Sequence, residues 1–343
     1  MKIARPHLTV LLNALAETGT TTVPVSHPSD DVGTLIEITL DAADASAVDM
    51  TLDTEAYQDV RNAVDVDHGP PAVTELPGAR SYTNAFFAGG LLPPANASAI
   101  EEFVEANGHP DLSAGHQPVV AGFDTNLRAW RIADVLELVP ERDGVVNGFV
   151  VVTGVRDELD WDQKRSNTGP VESAFGPEFE ELWNQPAGPQ REGRLGETYY
   201  RKLRDHRYAD EVASEREDDS IVGAIDEYQR ENRKTVLLFS NDRDFVERAR
   251  AHRIRAQRVE FPDRLPGSLT GSWAQIRDTL YVLTVLFGVL ELPKVTLYGV
   301  WKGKGGQDWH DEHLTCDCRS PKVEGILERD LAIIEAFEEA TTD

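Results

Sequence analysis

Carboxylates stand at four points where a strand-like run gives way to a helix-like one: Asp124, Glu158, the doublet Asp218-Asp219, and Asp242, with Asp244 two residues on. Like charges gathered at the carboxyl edge of a parallel sheet repel one another, and a hard divalent cation relieves that repulsion through oxygen ligands. A cluster of carboxylates at such junctions reads as a divalent metal site. Each acid alone also has a plain reading, since 60 of the 343 residues are Asp or Glu. Asp124 and Asp244 would serve as helix caps, Glu158 as an exposed helix charge and Asp242 as a turn residue. Their joint occurrence in order, with an apolar strand before three of the four sites, favours the metal reading.

The elements that must position these acids follow from the hydrophobic pattern. Pro118 to Phe123 is a short apolar run, followed by Asp124-Thr125-Asn126 and then Leu127, Trp130, Ala133 and Leu138 at roughly helical spacing. Asp124 is therefore expected to end a strand and face solvent. Phe149 to Val152 predicts a second strand, with Thr153 as a helix cap and Glu158 on the helix that follows. Ile221, Ala224, Ile225 and Tyr228 predict the buried stripe of a helix whose positive start lies at Asp218 or Asp219. Thr235 to Phe239 predicts another strand, leading into Ser240-Asn241-Asp242-Arg243-Asp244-Phe245.

This ordered set resembles the PIN-domain nucleases, over about residues 116 to 262. The residues that carry the likeness are a strand-end Asp with Asn two residues later, a helical Glu, a helix-opening Asp, and a Ser-x-Asp before a Phe. The resemblance implies a haloarchaeal-type, metal-dependent ribonuclease with an α/β fold, a PIN-like parallel sheet flanked by helices. It implies Mg2+ or Mn2+ held by Asp124, Glu158, Asp218 or Asp219, and Asp242, with Asn126, Ser240 and Asp244 in support. One departure is the interval from Glu158 to Asp218, longer than its neighbours, which predicts an insertion. An aspartyl phosphatase is disfavoured because Asn126 stands where a second Asp is normally needed. A catalytically inactive PIN-like RNA-binding or scaffold protein is the principal alternative. A toxin role is also open, but the long flanking regions favour RNA processing or turnover.

The chain carries a formal net charge of −26, with 60 acidic residues against 34 basic ones, a balance suited to concentrated salt. There the Debye length shrinks to about 3 Å at 1 M, so local charge outweighs net charge when an acidic protein meets a phosphate. Candidate RNA contacts are two basic runs in this acidic background. Arg191, Arg194, Arg201, Lys202, Arg204 and Arg207 interleave with Tyr199, Tyr200, His206 and Tyr208, while Arg248, Arg250, Arg253, Arg255 and Arg258 follow Asp242. For any single Arg, a balancing surface charge is the plainer reading.

Cys316 and Cys318 are too close for an easy internal bridge, and two cysteines make no disulfide framework. With His310 and His313 nearby they raise a zinc site, against the unusual Cys-x-Cys spacing and the plain alternative of a solvent-facing strand end. The first residues lack the apolar core of a secretory signal, and Leu280 to Leu292 is short and carries Thr284 and Glu291. A buried core helix, no membrane association and a cytoplasmic location are expected.

Three regions are expected: an accessory α+β module over 1–115, the nuclease-like domain over 116–262, and a helix-hairpin-helix extension over 263–343. The first has Leu8, Val10, Leu11, Leu12 and Leu15 in a helix, then strand-like alternation in Thr34 to Leu40 and Ala47 to Leu52. Its only basic residues are Lys2, Arg5, Arg61 and Arg80, which suits a partner-binding or stabilising role better than a phosphate clamp. Gly89-Gly90 lacks the following Lys-Ser/Thr of a phosphate loop. The third region is expected to contain a helix from about Ser272 to Leu290, a strand from Val295, a Lys-Gly turn from Lys302 to Gly306, and a helix from Lys322 to Ala340.

Overall fold

Strands form where apolar and β-branched residues cluster between turn signals, and their pairing sorts the chain into two units. The computed structural model describes residues 1–40, 45–138, 145–157, 167–300 and 312–342. In chain order the strands are β1 (Lys2–Ala4), β2 (Thr22–Ser26), β3 (Thr34–Thr39), β4 (Ser46–Met50), β5 (Val119–Phe123), β6 (Gly148–Val152) and β7 (Asp210–Val212). They continue with β8 (Thr235–Ser240), β9 (Arg255–Arg258), β10 (Ser268–Gly271), β11 (Val289–Leu292), β12 (Val295–Tyr298) and β13 (His313–Cys318).

One unit combines Met1–Leu91, Gln163–Pro189 and Arg264–Asp343; the other combines Leu92–Asp162 and Gln190–Asp263. The terminal regions, separate in the sequence reading, thus share a unit. The reason lies in strand pairing: β1 adds to β13 and β10 adds to β4, so one eight-stranded antiparallel sheet draws from both ends, in the order β1-β13-β12-β11-β2-β3-β4-β10. Part of the expected insertion, Gln163–Pro189, also belongs here: His27 packs edge-on against Phe175 with ring centroids 4.8 Å apart.

Within this unit the Trp273–Phe287 helix starts with a reciprocal box between Ser272 and Gln275 and buries Leu280 to Phe287. It ends three residues before the expected Leu290, because Gly288 turns the chain at φ 80° and Val289 enters β11. The helix packs against the Ala79–Ala88 helix, where a Cβ on Gly89 would come within 1.9 Å of the Thr279 hydroxyl. The expected strand from Val295 is present as β12 and pairs antiparallel with β13 beyond the expected turn, while β11, which the sequence does not announce, pairs with the other edge of β12; the Pro321–Thr342 helix follows. The Lys302 to Gly306 turn lies outside the described residues. No helix among the described residues is long and apolar enough to cross a membrane.

The second unit is an α/β layer built on a wholly parallel sheet in the order β7-β6-β5-β8-β9. Its central strand β5 is buried at every position, as a strand covered on both faces must be. On one face Val120, Val150, Val236 and Leu238 pack against Ile221, Val222 and Ile225 of the Asp218–Asn232 helix and Phe245 and Val246 of the Arg243–Ala251 helix. Val222 takes the buried place expected for Ala224, which is only half-buried. On the other face Phe239 stacks on Phe123 at 5.9 Å and receives Phe103 edge-on at 5.7 Å. All parallel strands point the same way, so the loops that follow β5, β6, β7 and β8 emerge on one edge.

Candidate functional site

That edge carries Asp124 directly after β5, the Asp218-Asp219 doublet after β7, and Asp242 just after β8. Asp124 does not face solvent as expected. It is 7% exposed, and its carboxylate accepts the Thr125 amide on Oδ1 at 2.7 Å and the Asn126 side-chain amide and the Ser240 hydroxyl on Oδ2 at 2.8 and 2.6 Å.

Ser240 is fully buried and works in both directions. While its hydroxyl donates to Asp124, the same oxygen accepts the Asp242 amide at 2.9 Å. Asn126 closes the link, its side-chain oxygen accepting the Asn241 amide at 3.0 Å. The β5 and β8 loops are thereby laced together, and Asp124 is tied to the backbone of Asp242 through one side chain. Asp242 caps the Arg243–Ala251 helix, taking the Asp244 amide on Oδ1 at 2.7 Å. Its second oxygen is not used by that cap, and the residue is exposed, as is Asp244.

Asp218 and Asp219 open the Asp218–Asn232 helix as expected, but their partner is a cation already present in the chain. Arg248 reaches Asp218 at 2.6 Å and Asp219 at 3.0 Å. The hydrogen bond to Asp218, with attraction from Asp219 and Asp244, holds the Arg248 guanidinium above its ordinary pKa. Among the described residues, no three His, Cys, Asp or Glu side chains come together around a common point. Glu158 lies outside the described residues, one position past the end of the Thr153–Asp157 helix. The oxygen-only donors of Asp124, Asp242, Asp244 and Asn126 fit a hard divalent cation.

A clamp that sequence reasoning missed places the doublet. Thr153 exchanges hydrogen bonds with Ser214, donating to its carbonyl at 3.3 Å and accepting its amide at 3.0 Å. Gly154 allows this close approach: a Cβ there would lie 2.1 Å from the Glu215 carbonyl oxygen. The Gly after Thr153 was the available sequence signal.

The basic runs behave differently from expectation. Arg191 and Arg194 are buried, and Tyr199 and Tyr200 are 3% and 0% exposed, so none of the four is open to a nucleic acid. Arg201 pairs with the buried Glu197 at 2.7 Å, Arg204 with Asp205 at 2.6 Å, and Lys202 lies 3.7 Å from Asp134. Arg250 is turned to the Ala256 carbonyl at 3.0 Å. Tyr208 and Arg253 are exposed, both with left-handed backbone, at φ 51° and 62°.

The zinc set is not gathered among the described residues. Cys316 and Cys318 share one face of β13 with their sulfurs 3.7 Å apart, but His313 is an odd number of residues away and falls on the other face. His310 lies outside the described residues.

With this geometry in hand, comparison adds one finding: a PIN domain is detected at residues 147–260. The match contains β6 to β9, the Asp218-Asp219 doublet, Ser240, Asp242 and Asp244; Asp124 precedes it, directly after the strand that the sheet places at its centre. Neither the curated proteins nor the solved structures give a match. The parallel five-stranded sheet flanked by helices is consistent with a PIN-like fold. PIN domains are generally nucleases, they typically use divalent metals, and PIN nucleases generally bind RNA, so the matched region points to a nuclease-type function.

Proposed function

We propose that this chain is a divalent-metal-dependent endoribonuclease of RNA processing or turnover, working in the cytoplasm at high salt. The observation that supports the reading above all is the Ser240 link between Asp124 and Asp242, which brings two carboxylates from distant segments to one edge of the sheet. Asp124 and Asp242 would hold Mg2+ or Mn2+, with Asp218 or Asp219, Glu158 and Asp244 completing or orienting its water shell. A bound ion of this kind supplies charge stabilisation to a phosphate and lowers the pKa of a water.

The chain's own residues have defined tasks in this reading. Thr125, Asn126 and Ser240 fix the Asp124 carboxylate so that little reorganisation is needed on binding. The cap made by Asp242 uses only Oδ1, on an exposed residue. Exposed Tyr208, Arg253 and Arg255 are the side chains of the basic runs best placed by exposure to meet RNA. The other unit would bind a protein partner or stabilise the chain.

The test is cleavage of labelled structured RNA, single-stranded RNA and DNA in molar KCl with Mg2+ or Mn2+. Asp124→Asn and Asp242→Asn are expected to abolish cleavage while leaving the fold intact. Undiminished cutting by either variant, insensitive to EDTA, overturns the proposal.

One observation favours a second reading, an inactive PIN-like scaffold: Asp218 and Asp219 are already paired with Arg248. Calorimetric Mn2+ titration beside the cleavage assay separates the two, because metal binding without cutting is the scaffold's signature.

A further inference from the structure

We infer that Arg248 is a resident cation that competes with the divalent metal for Asp218 and Asp219, so that it sets how tightly the site takes up its ion. The inference rests on the nuclease reading above and names the regulation of that same site.

Two adjacent aspartates at the start of one helix, with Asp244 at the start of another, would repel one another without a positive partner. Arg248 supplies it from within the Arg243–Ala251 helix. It stands one helical turn beyond Asp244, and its guanidinium divides between the doublet, Nη1 on Asp218 at 2.6 Å and Nε on Asp219 at 3.0 Å. A guanidinium fork suits two carboxylates at once. It thus ties the helix that the doublet opens to the helix that Asp242 caps.

The exposure of the partners decides whether this is a fixed strut or a displaceable one. The side chains of Arg248, Asp218 and Asp219 retain 36%, 44% and 83% of their accessible surface. Water screens such pairs, and exposed ion pairs hold only weakly. A doubly charged ion with a compact shell outcompetes a screened guanidinium for carboxylate oxygens, whereas a buried pair would resist. The pairing is strong enough to relieve repulsion when no ion is bound and weak enough to yield to one.

The experiment is Mn2+ titration calorimetry on the full chain at fixed KCl. Arg248→Gln is expected to bind Mn2+ about fivefold more tightly than wild type, and Arg248→Lys, which keeps the charge but loses the fork, to fall between them. In an Asp218→Asn/Asp219→Asn background the Arg248→Gln effect is expected to vanish, a cycle that a merely structural Arg would not close. Equal or weaker binding by Arg248→Gln, or an undiminished effect in the double-Asn background, overturns the competition while leaving the nuclease reading standing. No Mn2+ binding by either wild type or Arg248→Gln overturns both.

Discussion

Ser240 donates its hydroxyl to the Asp124 carboxylate at 2.6 Å, joining the ends of two neighbouring parallel strands that are 116 residues apart in the chain. The same oxygen receives the Asp242 amide, so one buried hydroxyl serves two acids. Ser240→Ala leaves a buried carboxylate short of a donor and an amide short of an acceptor. The expected cost is about 1–3 kcal/mol of stability, read from urea unfolding in constant KCl. The cleavage rate should fall as well; a variant as stable and as active as wild type contradicts the link.

Asp242 has two tasks that substitution can separate. As helix cap it accepts the Asp244 and Phe245 amides, a role that Asn fills nearly as well. Asp242→Asn should therefore unfold within about 0.5 kcal/mol of wild type yet lose cleavage, whereas Asp242→Ala should lose about 1 kcal/mol in addition. Equal unfolding midpoints for the Asn and Ala variants argue that the cap contributes nothing.

Gly154 permits the approach of the loop that leads into Asp218. A methyl group there meets the Glu215 carbonyl at 2.1 Å and the Ser214 hydroxyl at 2.4 Å, both closer than any Cβ contact allows. Gly154→Ala is expected to destabilise by about 1–3 kcal/mol through forced backbone displacement. Thermal unfolding at fixed salt reads the loss, and an unshifted midpoint would show that the loop yields without cost.

Asp210 gives a pH dependence with a defined sign. Burial pushes its pKa up, but hydrogen bonds from Lys234 and Tyr228 outweigh burial and hold it below the ordinary 3.8. A depressed carboxylate contributes stability above its unfolded pKa and loses it as pH falls through the folded value. The stability gap between wild type and Asp210→Asn should be constant above about pH 5, then shrink as pH drops through 3.8 and below. The pair is partly exposed, so the gap is modest. Urea midpoints measured across this range check it, and a gap that widens in acid reverses the sign.

Much of this arrangement was legible in the residues. The apolar runs before Asp124, Asp242 and Thr153 located β5, β8 and β6, and the stripe through Ile221, Ile225 and Tyr228 located the helix that Asp218 opens. These elements are dictated by local periodicity, which a single segment carries in full. The exposure of Tyr199 and Tyr200 was not legible, because their pattern suits a surface helix as well as a buried one. The Gln190–Arg201 helix packs against Thr125–Arg128, and the Arg128 guanidinium lies 4.6 Å from the Tyr200 ring centroid.

The order of the acids and the strand-to-helix junctions that bear them follow from residue type and spacing alone. Which acid found which partner depended on the fold: Asp124 turned inward to Ser240, and Asp218 and Asp219 met Arg248. It also joined both ends of the chain in one antiparallel sheet. The physical reason is that periodicity states which face of a segment is buried, whereas partners are chosen when strands far apart in the chain align and unsatisfied polar groups must find one another.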